Sequence, residues 1–122
     1  MLWYSKRQNS VETSTFGSEF MALKTAVELS EGILYKIWMM GIPVEVPMHM
    51  RYDNKSVVYN TSDPASTLKK KSNSIAYHFV REKAAAGIVE VEHESTDTNL
   101  ADILTKILIG EKRDTMVKMI LY

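Results

Sequence analysis

The stretch from Gly17 to Met40 constrains the fold of this chain most. Its apolar residues Phe20, Leu23, Val27, Leu34, Ile37 and Trp38 recur at helical spacing on one face, and Gly41 is a natural C-terminal stop. A helix with one apolar stripe has to bury that stripe against another layer. Two alternating runs can supply it. Val46, Met48, Met50 and Tyr52 alternate with Pro47, His49 and Arg51 and lead to Asp53, while Val89, Val91 and His93 alternate with Glu90, Glu92 and Glu94. Both patterns predict half-buried strands, the first ending at Asp53.

The remaining segments fit between these elements. Leu2, Trp3 and Tyr4 read as the end of a strand, and residues 54–60 as a short helix closed by the turn formers Thr61, Ser62, Asp63 and Pro64. Ile75, Phe79 and the alanines 84–86 predict a further helix that Gly87 stops. After the second strand, the Ser95 to Asn99 cluster has turn and N-cap chemistry, and Leu100, Ile103, Leu104, Ile107 and Leu108 then recur at helical spacing. Met116, Val117, Ile120 and Leu121 suggest a short amphipathic helix over residues 113–122, and the methionines, including Met39, Met40, Met48 and Met50, suit an irregular core. The alternation of strands and helices predicts an α/β sheet with a parallel portion.

Composition narrows the chemistry. At 122 residues the chain holds one domain at most, and its formal net charge of zero provides no global field for nucleic acid, so any such contact needs a local patch. The absence of cysteine removes disulfides, thiolate metal sites and cysteine nucleophiles together. No apolar run approaches membrane-spanning length, and the expectation is a soluble, intracellular chain with no membrane partner. No zinc-ligand spacing links His49, His78 and His93. His49 has no evident partner, and His78 shares a polar helical face with Ser74 and Arg81.

In open α/β sheets, chemistry gathers beyond the C-terminal ends of the strands. Asp53 ends one predicted strand, Asp102 opens the helix after the other, and Glu19 lies in the first turns of the long helix. Carboxylates converging without cysteine describe a site for a hard cation, Mg²⁺ or Mn²⁺. Asp102 has a simpler reading as well: a carboxylate in a first helical turn is favoured by the helix dipole, by about 0.3–1 kcal/mol. Lys69, Lys70 and Lys71, with Arg81 on the next helix, could contact phosphates or form a solvated charge run.

The blocks STFGSEFMAL, RYDNKSVV, STLKKKSNSIAYHFVREKAAAGIVEVEH and NLADILTK, in that order, resemble the ribonuclease H portion at the C-terminus of copia-type retrotransposon Pol polyproteins. They run from Ser14 to about Leu108. The resemblance implies a ribonuclease H-like mixed sheet with flanking helices over residues 1–109, lacking the first strands, and an amphipathic tail over residues 110–122. It implies hydrolysis of RNA in RNA/DNA hybrids by two divalent ions, with the upstream reverse transcriptase segment as partner. By motif, Glu19 of SEFMAL, Asp53 of YDN and Asp102 of LADILTK correspond to three of the family's four acidic ligands.

The fourth ligand, an aspartate on the family's first strand, has no counterpart in these residues. The expectation is therefore a fragment that is inactive alone; the alternative is a domesticated, non-catalytic nucleic-acid-binding or interaction module. His93 is a candidate for the mobile histidine that assists product departure in some ribonucleases H, against the simpler reading of a half-solvated strand end. Missing strands would leave the edge formed by Val46, Met48, Met50 and Tyr52 open to association. Ile107 stands where the family commonly has proline, so the last helix is expected to run longer.

Overall fold

The computed structural model describes residues 4, 6–7, 15–63 and 74–121. Its order is α1 (Thr15–Met39), β1 (Met48–Tyr52), α2 (Lys55–Ser62), α3 (Ser74–Ala85), β2 (Val89–His93), α4 (Asp102–Thr105) and α5 (Gly110–Leu121). The fold is mixed α/β, with a two-stranded parallel sheet and five helices among the described residues. The expected strand at Leu2 to Tyr4 falls largely on residues outside that description, as does the lysine run at 69–71.

The long helix forms where its apolar spacing places it. Gly17, Phe20, Leu23, Val27 and Leu34 are its buried positions, and the chain leaves it through Gly41 at φ 75°, a left-handed conformation that costs glycine little. Ile37 is only partly buried and Trp38 is 51 % exposed, so the apolar stripe loses its cover in the last turns. Met39 and Met40 are exposed too, which removes them from the expected methionine core, whereas Met48 and Met50 do pack against it.

β1 and β2 run parallel in register, Met48 opposite Val89 through Tyr52 opposite His93. Alternation sorts the side chains by face. Val89 and Val91 are buried against Phe20, Leu23, Val27, Val57, Ala76, Tyr77 and Val80, with Met48, Met50 and Tyr52 packed on the same cluster. Phe20 lies at its centre, 5.6 Å from the Phe16 ring and 6.0 Å from that of Tyr77. The opposite face carries His49, Arg51 and Glu90, all exposed, and Glu92. Val46 precedes the strand and is exposed, so it does not share the edge assigned to it. β1 has one strand neighbour, β2, among the described residues.

The parallel connection needs a crossover, and α2 and α3 provide it. Asn54 caps α2, its side chain accepting from the backbone N–H groups of Ser56 and Val57. Thr61 and Ser62 extend this helix instead of closing it, because the Thr61 hydroxyl donates to the Val57 carbonyl and spends its polarity inside the helix. Gly87, at φ 69°, ends α3 and turns the chain into β2.

The C-terminal part departs most from expectation. α4 is a single turn; Lys106 is extended at φ −131°, ψ 149°, so no helix runs on through Ile107 and Leu108. Leu104, Ile107 and Ile109 are exposed. Apolar periodicity extends a helix only where a surface waits to cover it, and none does so here among the described residues. α5 forms as expected, starting earlier at Gly110, with Met116 buried.

Candidate functional site at the carboxyl ends of the strands

The parallel pairing brings both strand ends to one side, where Glu94 N–H still donates to the Tyr52 carbonyl at 2.8 Å. Asp53 follows β1 directly, and the 94–101 loop carries the chain from β2 to Asp102. That loop is self-supported: Thr98 and Asn99 N–H groups both donate to the Ser95 carbonyl, and Asp102 N–H donates to Asn99.

Asp53 and Asp102 share one cation. Lys106 Nζ lies 2.8 Å from Asp102 Oδ1 and 3.7 Å from Asp53 Oδ2. The i, i+4 spacing across α4 delivers the ammonium to Asp102, and the sheet delivers Asp53. These contacts, the hydrogen bond to Asp102 foremost, hold the Lys106 pKa above the ordinary lysine value. Asp102 is 3 % exposed, and its second oxygen, Oδ2, is buried with no hydrogen-bond partner among the described residues. An orphaned carboxylate oxygen is costly, which sets Asp102 apart from an ordinary helix-start carboxylate.

Glu19 is tethered from both sides of Asp53. The Tyr52 hydroxyl donates to the Glu19 backbone carbonyl, and the Asn54 side-chain amide donates to Glu19 Oε2. Glu19, Asp53, Asn54, Lys55 and Ser56 line one open cleft. Asp102 is outside this lining and joins it through Lys106. Among the described residues, Glu19, Asp53 and Asp102 do not form a set with one oxygen from each within 4.8 Å of the others.

Burial, then the negative charges of Glu19 and Asp53, push the Tyr52 pKa well above the usual phenol value. An acid whose folded pKa is raised keeps its proton in the native state while the unfolded chain releases it. Its stabilisation is therefore complete below about pH 10 and declines as pH rises beyond that value. Tyr52→Phe is expected to cost about 0.5–1.5 kcal/mol at neutral pH, from the lost hydrogen bond, and to flatten the stability decline above pH 10. Urea melts at pH 8 and pH 11 on both proteins measure this, and parallel alkaline losses would assign the decline to other groups.

His93 and Arg81, the other expected residues within the described part, are not in the cleft lining. His93 is exposed at the last position of β2, opposite Tyr52. The Arg81 guanidinium sits 5.1 Å over the Tyr77 ring and donates to the Tyr77 hydroxyl. Sequence reasoning missed Lys106 and Asn54 as partners of the carboxylates. The i, i+4 spacing of Asp102 and Lys106 was a usable signal for the first; nothing local signals the pairing of Asn54 with Glu19, 35 residues away. His49 also acquires partners that the sequence pattern did not reveal, Glu90 and Glu92.

Comparison with known proteins gives the chain relatives. It is 31 % identical over 106 residues to the retrovirus-related Pol polyprotein from transposon RE1 of Arabidopsis thaliana, and 30 % identical over 106 residues to that from transposon RE2 of the same plant. Each match covers 87 % of this chain and 7 % of the relative. The corresponding polyprotein from transposon TNT 1-94 of Nicotiana tabacum is 31 % identical over 118 residues, covering 90 % of this chain and 8 % of the relative. No family model matches, and no solved structure matches. The chain is thus related to one short segment of the retrovirus-related Pol polyproteins of plant transposons.

Proposed function

We propose that this segment contributes the carboxylate site of a ribonuclease H-type nuclease within a transposon Pol polyprotein, acting on the RNA strand of RNA/DNA hybrids. The observation that carries the reading is the convergence of Asp53 and Asp102 on Lys106 at the carboxyl ends of parallel strands, with one buried Asp102 oxygen lacking a partner among the described residues. Oxygen donors of this kind suit Mg²⁺ or Mn²⁺, and the Lys106 ammonium, in contact with both carboxylates, holds the place from which such an ion would displace it. Asp53 and Asp102 would hold the ion, with Glu19 beside them in the cleft. Divalent ions there would activate the attacking water and stabilise the leaving 3′-oxygen.

The chain's own residues orient this site. Asn54 and Tyr52 fix Glu19 relative to Asp53, and Lys106 offsets the repulsion between Asp53 and Asp102. Lys69, Lys70, Lys71 and Arg81 are the proposed phosphate contacts, and His93 the proposed aid to product departure. The activity is proposed for the polyprotein that carries this segment, joined to the part upstream of it.

The test is cleavage of a labelled RNA/DNA hybrid in Mg²⁺ by this chain fused to the upstream segment of a related transposon. Asp53→Asn is expected to slow cleavage by about a hundredfold or more, since even outer partners of metal ligands are worth roughly 10–100-fold. Equal rates for the two proteins would reject the nuclease reading. A fusion that binds hybrid and never cuts it would favour a binding module.

A further inference from the structure

The solvent face of the sheet holds a second group of metal-ligating side chains. His49 Nδ1 on β1 lies 2.9 Å from Glu92 Oε1 and 3.6 Å from Glu90 Oε2 on β2, and one ligand atom from each residue falls within 4.8 Å of the other two. The register explains the grouping. His49 is directly opposite Glu90, and Glu92 is the next residue on the same face of β2. Arg51, directly opposite Glu92, turns instead to Glu94 at 3.6 Å and leaves the Glu92 carboxylate to the imidazole.

From this geometry we infer that His49, Glu90 and Glu92 form a zinc-binding site across the two parallel strands, separate from the Asp53 and Asp102 site. Zinc held tetrahedrally by nitrogen and oxygen at about 2.0–2.1 Å keeps its ligand atoms roughly 3.3 Å apart. The two contacts of His49 Nδ1, 2.9 and 3.6 Å, bracket that separation, so small side-chain rotations suffice. The imidazole selects the metal: it suits zinc, whereas Mg²⁺ prefers oxygen and retains its water. Three protein ligands leave a fourth position to solvent, which the exposure of all three side chains permits. Bound zinc would also offset the repulsion between Glu90 and Glu92 and fasten β1 to β2.

The test uses the whole chain and ZnCl₂. Zinc titration is expected to shift the ring resonances of His49 in a histidine ¹H–¹⁵N spectrum, and Mg²⁺ at equal concentration is expected not to. By calorimetry, His49→Ala should weaken zinc binding at least tenfold, and Glu90→Gln and Glu92→Gln severalfold each. The three sheet side chains face solvent, so these variants are expected to fold, and the wild-type resonance needs no variant. Zinc that leaves the His49 resonances in place, or binds His49→Ala as tightly as wild type, would overturn the site and reduce the cluster to a hydrogen-bonded ion pair.

Discussion

Phe20→Ala is expected to remove about 3–5 kcal/mol of stability, the range for truncating a fully buried phenylalanine. Phe20 has no exposed surface and stands between the rings of Phe16 and Tyr77, in the cluster that joins α1 and α3 to the buried side of the sheet. Natural domains are stable by only about 5–15 kcal/mol, so this one change takes a large fraction of the total. The loss also reaches the candidate site, because Glu19 is the adjoining residue of α1 and is held by Tyr52 and Asn54. Urea unfolding followed by far-UV circular dichroism should show a lower midpoint. A loss below about 1 kcal/mol would mean the neighbouring rings close the cavity.

Asp102→Asn is expected to separate metal binding from folding. In the proposed site the substitution removes a ligand, so Mn²⁺ affinity should fall by about 10–100-fold or more, and the rise in melting temperature that Mn²⁺ confers should vanish with it. In a chelator, stability should change little. The variant loses the charge of the Lys106 contact, but it also relieves a buried carboxylate with one unpartnered oxygen, and these effects oppose each other. Thermal melts with EDTA and with MnCl₂ measure both. An unchanged Mn²⁺ effect in the variant would remove Asp102 from the metal site.

The divergence between expectation and structure is clearest at the C-terminal end. Leu100, Ile103, Leu104, Ile107 and Leu108 have the spacing of a two-turn helix, yet α4 has four residues and the chain straightens at Lys106. Trp38 likewise has helical spacing and is exposed. In both places the periodicity describes a face without showing whether another layer meets it. Where a layer does meet it, as at Phe20, Leu23 and Val27, expectation and structure coincide.

By itself the sequence determined the local elements: the long helix α1 to within two residues at its start and one at its end, the two alternating strands, the glycine stops at Gly41 and Gly87, and the positions of Glu19, Asp53 and Asp102 along them. These follow from period, capping and backbone freedom, which act over a few residues. Only the tertiary structure decided which of those residues meet. The parallel register set His49 beside Glu90 and Glu92, the common direction of the strands brought Asp53 and Asp102 to one lysine, and Asn54 reached Glu19 across 35 residues. Such contacts depend on how separate elements pack, a property of the buried cluster as a whole that no local spacing encodes.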